Sequence, residues 1–201
     1  TGKQLVHDHV TAVSPLVETG RFFSFLLQLK DRVVRSQKRL EYLLAVSSEA
    51  IREGLDVHIE FRHISWHEMH PIQALKDSGI GICNTEIPPV RHAFPLKAYA
   101  TSDKGYVRYS GRNELNWYPE GEQKTSKERT AARNARYDYL YSEDEVRKRA
   151  TAQLELGLKT SSVAIAWNNH YNTQAVQNAL FNIDLLQKQL EISLTDNVTS
   201  S

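Results

Sequence analysis

Glu60 and Arg62 stand two residues apart in the run "DVHIEFRHISW" (56–66), with His58 two residues before them. In an extended strand, alternate residues share a face, so an imidazole, a carboxylate and a guanidinium line one side. Arginine presents paired N–H donors matched to phosphate or carboxylate. A neighbouring carboxylate is a general acid/base or an orienting partner. Glu60 with Arg62 or with Arg108 also reads as an internal ion pair that only fills space. A second run, "YVRYSG" (106–111), places Tyr106, Arg108 and Ser110 on one face and Val107 and Tyr109 on the other. A third, "SVAIAWNN" (162–169), ends in Asn168 and Asn169. Those amides could orient a substrate hydroxyl or carbonyl, or simply turn the chain. Trp66 and Trp117 follow strand ends and are candidate walls of a pocket. The candidate site is therefore Glu60 as the catalytic or orienting carboxylate, with Arg62, Arg108, Asn168, Asn169, Trp66 and Trp117 binding the substrate.

Other groupings carry less. "HDH" (7–9) and "HEMH" (67–70) bring histidines together, but the second lacks the H-E-x-x-H spacing. A metal site needs several converging ligands, so no metal is expected. Cys83 follows Ile82 and Gly81 in an apolar run and reads as a small core residue. The segment "KTSKERTAARNAR" (124–136) holds five basic residues against Glu128. It reads as a solvated helix capped by Thr125 and Glu128, or as a surface for nucleic-acid phosphates.

These residues need elements to position them. Strands are predicted at 21–29, 56–63, 79–85, 105–111 and 162–169, from alternation and β-rich composition. Helical spacing predicts helices over 34–53, 66–77, 142–158 and 172–192, the third opened by a Ser142–Glu145 capping box. Strands alternating with helices imply parallel pairing, hence a doubly wound sheet or a (β/α)8 barrel. The polar residues gather at the strands' carboxyl-terminal ends, where barrel enzymes build their sites. No G-x-G-x-x-G turn follows a strand, so a dinucleotide is not indicated and no cofactor is expected.

Bulk properties narrow the partners. The 201 residues suit one domain of ordinary size, and 24% charged residues are typical of globular chains. A net charge of +1 gives no overall field for nucleic acid or membrane. No apolar run approaches the ~18 residues of a membrane helix. The single cysteine excludes an intrachain disulfide framework and fits a cytoplasmic setting.

The segments "IEFRHISW", "YVRYSGRNELNW", "YDYLYSEDEVRKRA" and "VAIAWNNHYNTQAVQNAL" occur in that order. Over roughly residues 20–190 the chain resembles the YecE-like family, domain of unknown function 72, whose members are TIM-type barrels. The resemblance implies that the five strands are the fourth to eighth of a barrel, with three more upstream of Thr1. It implies no established reaction. Two departures stand out. Ser110 occupies a place where the family commonly has histidine, and Glu86 of "CNTEIP" stands near a usual aspartate. The expectation is thus an α/β chain forming an incomplete (β/α)8 barrel as a single domain over 1–201, with an insertion at 119–136 and a flexible tail at 193–201. Its expected ligand is an anionic small molecule at the carboxyl-terminal face. The alternative is a nucleic-acid-associated or interaction protein using the basic 124–136 segment.

Overall fold

The computed structural model describes residues 2–118 and 125–199. Residues 119–124 of the expected insertion lie outside them. Five strands alternate with helices: α1 (Gly2–Glu18), β1 (Phe25–Gln28), α2 (Gln37–Arg52), β2 (Val57–Glu60), α3 (Met69–Asp77), β3 (Gly81–Glu86), β4 (Lys104–Tyr109), α4 (Glu114–Trp117), α5 (Ser126–Ala135), α6 (Glu143–Gly157), β5 (Ser162–Trp167) and α7 (Gln174–Thr199). The sheet runs β1-β2-β3-β4-β5 in sequence order. Phe25 to Gln28 pair in parallel with Val57 to Glu60, and His58 and Ile59 with Gly81 and Ile82. This is the α/β pattern of an incomplete TIM-type barrel.

All five predicted strands form, each shorter than or shifted from its predicted span. The strand predicted at 21–29 contracts to Phe25–Gln28, because pairing with β2 begins only at Val57. The helix predicted over 66–77 becomes a 3-10 turn, Ile64–Trp66, followed by α3 with Pro71 in its first turn. Proline lacks an N–H, and the first turn is where that loss is harmless. Both capping boxes form. Thr125 Oγ accepts from Glu128 N–H, and the Ser142 N–H donates to the Glu145 carboxylate. Two helices go beyond the sequence reading. The "HDH" run lies on α1, and α7 continues through residues 193–199, which were expected as a tail.

One domain was expected, and the chain divides into two compact units. The first comprises Thr1–Thr85, Arg91–Val107 and Leu156–Ile165. The second comprises Glu86–Val90, Arg108–Glu155 and Ala166–Ser201. In the first, Val57, Ile59 and Phe61 of the β2 segment pack against Leu40, Leu43 and Ala50 of α2 and Leu75 of α3. In the second, Tyr109 stacks on Trp167 at 4.6 Å and meets Tyr141 edge-on at 6.1 Å.

The opposite face of β2 is buried too. His58 is 1% exposed, its Nδ1 2.6 Å from Ser24 Oγ and its Nε2 2.9 Å from the Lys104 carbonyl. A carbonyl only accepts, so Nε2 carries the proton and Nδ1 accepts from Ser24. Phe23 and Tyr106 enclose the ring. Gly81, paired with His58 across the sheet, leaves the space this ring occupies, since a Cβ there would overlap it.

Two outcomes follow from this packing. Gly81→Ala lowers stability by ~1–3 kcal/mol through overpacking, read by urea denaturation. A cycle with His58→Ala shows positive coupling, because the added methyl and the ring compete for one space. Burial lowers the His58 pKa from its ordinary 6.5, against the raising effects of the Lys104 carbonyl and Asp56. The unfolded chain therefore gains a proton that the folded chain refuses as pH falls past 6.5. The contribution of the neutral ring is complete above that value and is lost as pH drops through the lowered folded value. Melting temperatures measured across this window decline with acid, and His58→Gln flattens the decline. An equal slope in the variant refutes the assignment.

Candidate functional site

In the first unit, β2 ends on Glu60, whose side chain has no exposure. Arg62, two residues on, faces the same way and donates from Nε to Glu60 Oε1 at 2.9 Å. Its side chain keeps 14% exposure. The strand end is held by the segment after it. Phe94 N–H donates to the Arg62 carbonyl at 3.1 Å and Ile64 N–H to the His92 carbonyl at 2.8 Å. His92 takes a positive φ of 65° to make this turn. The His63 and His92 rings stack at 5.5 Å. The structure thus makes Glu60–Arg62 a buried ion pair with its cation toward the strand's carboxyl-terminal end.

Trp66 is not a pocket wall. It is 1% exposed, stacks on Phe61 at 4.7 Å and donates from Nε1 to the Val33 carbonyl. An indole is large enough to serve as core provided its N–H finds an acceptor, and Val33 supplies it.

The second unit holds a denser constellation around Glu86. Arg149 of α6 grips its carboxylate with two donors, at 2.6 and 2.5 Å. Arg149 also donates to the Glu145 carbonyl and lies 4.5 Å over the Tyr141 ring. Arg112 is 43% exposed and stands between two carboxylates, 3.8 Å from Glu86 and 3.4 Å from Glu145. Glu145 accepts from the Tyr139 hydroxyl at 2.7 Å. Burial opposes the charge on Arg149, yet Glu86 holds its pKa above the ordinary value. Burial opposes the charge on Glu145 as well, and hydrogen bonds from Ser142 and Tyr139 hold its pKa down. Burial pushes the Tyr139 hydroxyl up to about 12, helped by its bond to Glu145, so it is a donor at neutral pH. Tyr141 is raised as well, by burial and then by Glu86. Its oxygen accepts from Gly111 N–H at 2.9 Å.

The other sequence candidates fall in this second unit with distinct surroundings. Arg108 is half-buried on β4. Asn168 donates to Ser110 Oγ at 3.4 Å, and its backbone N–H donates to the Tyr109 carbonyl. Ser110 and Asn168 therefore share one place at the ends of β4 and β5. Asn169 has no exposure, and its Nδ2 donates to the Tyr139 carbonyl and to Asn178 Oδ1, both at 2.8 Å. Asn178 in turn binds both the N–H and the carbonyl of Tyr141. The two amides are occupied in holding the 139–141 segment. Trp117 is 4% exposed and meets Tyr137 edge-on at 6.2 Å.

Arg149 escaped the sequence reading because "EVRKRA" looks like the solvated side of a helix. A signal was present. Arg149 follows Val146 by three and precedes Gln153 by four, so it shares the buried face with both. Glu86 was visible only as a departure from a family pattern. Among the described residues, no group of three or more His, Cys, Asp or Glu is placed to hold a metal ion. Nor is any helix among them long and apolar enough to cross a membrane.

With the geometry in hand, comparison with known proteins gives a family. The model described as "Protein of unknown function DUF72" matches residues 2–199. The structure of a DUF72 family protein from Thermotoga maritima MSB8 is 31% identical, with a TM-score of 0.76 over 94% of this chain and 65% of that one. A DUF72 family protein from Enterococcus faecalis V583 is 21% identical, with a TM-score of 0.81 over 93% of this chain and 66% of that one. The latter likeness is one of fold. The chain spans about two thirds of the length of these relatives. No curated protein matches. The parallel α/β pattern, the ordered motifs and the match over nearly the whole sequence agree, and the chain belongs to the DUF72 family.

Proposed function

We propose that the protein binds an anionic small molecule, bearing phosphate or carboxylate, through arginines at the carboxyl-terminal ends of its strands. The observation that carries this reading is the Glu60–Arg62 pair. A wholly buried carboxylate fixes the guanidinium through Nε, while the arginine side chain retains exposure at the strand end. An arginine so held loses little rotamer freedom when it meets an anion. Complete burial suits Glu60 to orienting Arg62 rather than to exchanging protons with a ligand. In the second unit, taken by itself, Arg108 of β4 is a separate candidate, with Ser110 and Asn168 meeting at 3.4 Å on the ends of β4 and β5. Arg149 is different in kind. Its two bonds to Glu86 and its low exposure make it part of the scaffold.

The arginines separate by measurement. In calorimetric titrations with phosphorylated and carboxylated metabolites, Arg62→Ala or Arg108→Ala weakens binding about tenfold or more, as loss of a charged hydrogen bond does. An unchanged titration in the double variant refutes the reading. Arg149→Met instead costs ~3–5 kcal/mol of stability, because it strands a buried carboxylate. Adding Glu86→Leu restores most of that loss in the same urea experiment.

A second reading rests on α5. None of its side chains is buried, and it carries Lys127, Arg129 and Arg133, with Glu128 committed to the cap. If it is a nucleic-acid surface, filter binding to single-stranded DNA falls steeply with salt, and replacing these three residues by glutamine flattens the slope. No retention at low salt excludes it.

A further inference from the structure

We infer that the first unit carries a separate site for a small phosphate-bearing ligand, in the groove between α3 and the 97–101 segment. The groove encloses about 560 Å3. Lys76 at the end of α3, Lys97 and Lys159 line it together with His67, Gln73 and Tyr99. The one acid on its wall, Glu68, lies 3.3 Å from Arg35. Among the described residues, none of the three lysines has an acid within ion-pair distance. Three ammonium groups around one concavity repel each other, and a polyanion relieves all three at once.

Tyr99 lines the same groove, with its hydroxyl enclosed beneath that surface. The surrounding structure holds this residue firmly. Its N–H donates to Asn84 Oδ1 at 2.8 Å, its carbonyl accepts from Asn84 Nδ2 at 3.0 Å, and its ring packs on Phe94. His67 meets the Tyr99 ring edge-on at 6.2 Å. Burial and then Lys97 lower the His67 pKa, so a bound anion shifts its titration upward. Lysines around a shallow groove grip phosphate as point charges without the planar geometry that arginine imposes.

The probe is inorganic pyrophosphate, titrated at fixed ionic strength and followed by calorimetry and by NMR of the histidine side chains. Pyrophosphate binds the whole chain, and the His67 resonance titrates at higher pH in its presence. Replacing Lys76, Lys97 and Lys159 together by glutamine abolishes the His67 shift and weakens pyrophosphate binding about tenfold or more. Tyr99→Phe keeps the ring that lines the groove and leaves both binding and the His67 shift in place. The upward shift of the His67 resonance persists in the Arg62→Ala/Arg108→Ala double variant, which reads the groove apart from the strand-end arginines. No binding at millimolar pyrophosphate, or full binding by the triple variant, overturns the inference. Binding lost only in the two arginine variants also overturns it while supporting the strand-end site.

Discussion

Burial of β2 on both faces is the constraint from which much of the first unit follows. A strand covered on one face can leave its polar residues in water. Here Val57, Ile59 and Phe61 go to the helix side while His58 and Glu60 are equally enclosed. Each enclosed polar group therefore has to bring a partner with it. His58 is held neutral between a serine hydroxyl and a backbone carbonyl. Glu60 stays beside an arginine two residues further along the chain. Even the choice of glycine at position 81 answers to this enclosure, because the imidazole occupies the room a side chain would need.

The second unit solves the same difficulty by a different route. Glu86 also ends its strand, yet its ion-pair partners lie far along the chain. Its partner comes from α6, where Arg149 lies under Tyr141 and beside Tyr109. The aromatic rings exclude water and strengthen the pair, and they also raise the cost of breaking it. Around this core the amides of Asn169 and Asn178 hold the backbone of the 139–141 segment, so Tyr139 and Tyr141 are presented at fixed positions. Arg112, the more exposed cation, sits at the edge of the same network.

Much of this was legible in the sequence because local rules act over short distances. Alternation or β-rich composition marked all five strands, and capping boxes marked the starts of α5 and α6. The pairing of Glu60 with Arg62 was one of two that the sequence offered, the other being Arg108, because alternate residues of an extended segment share a face. Trp66 and Asn169 show the limit. Each follows a strand, and position alone could not tell a site wall from a buried prop. The indole went to the core because Phe61 and the Val33 carbonyl satisfy both its surface and its N–H. The amide was taken up by Tyr139 and Asn178, the first 30 residues before it and the second nine after it.

The sequence by itself determined the parallel α/β class, the places of the strands along the chain and the polar faces of β2 and β4, since these depend on spacing within a dozen residues. The tertiary structure decided which polar groups are scaffold and which keep some exposure. Glu86 and Arg149 lie 63 residues apart, and Lys76, Lys97 and Lys159 come from three separate segments of the chain. Charges that far apart along the chain interact only after the fold has brought them together, and burial then fixes the strength of the interaction.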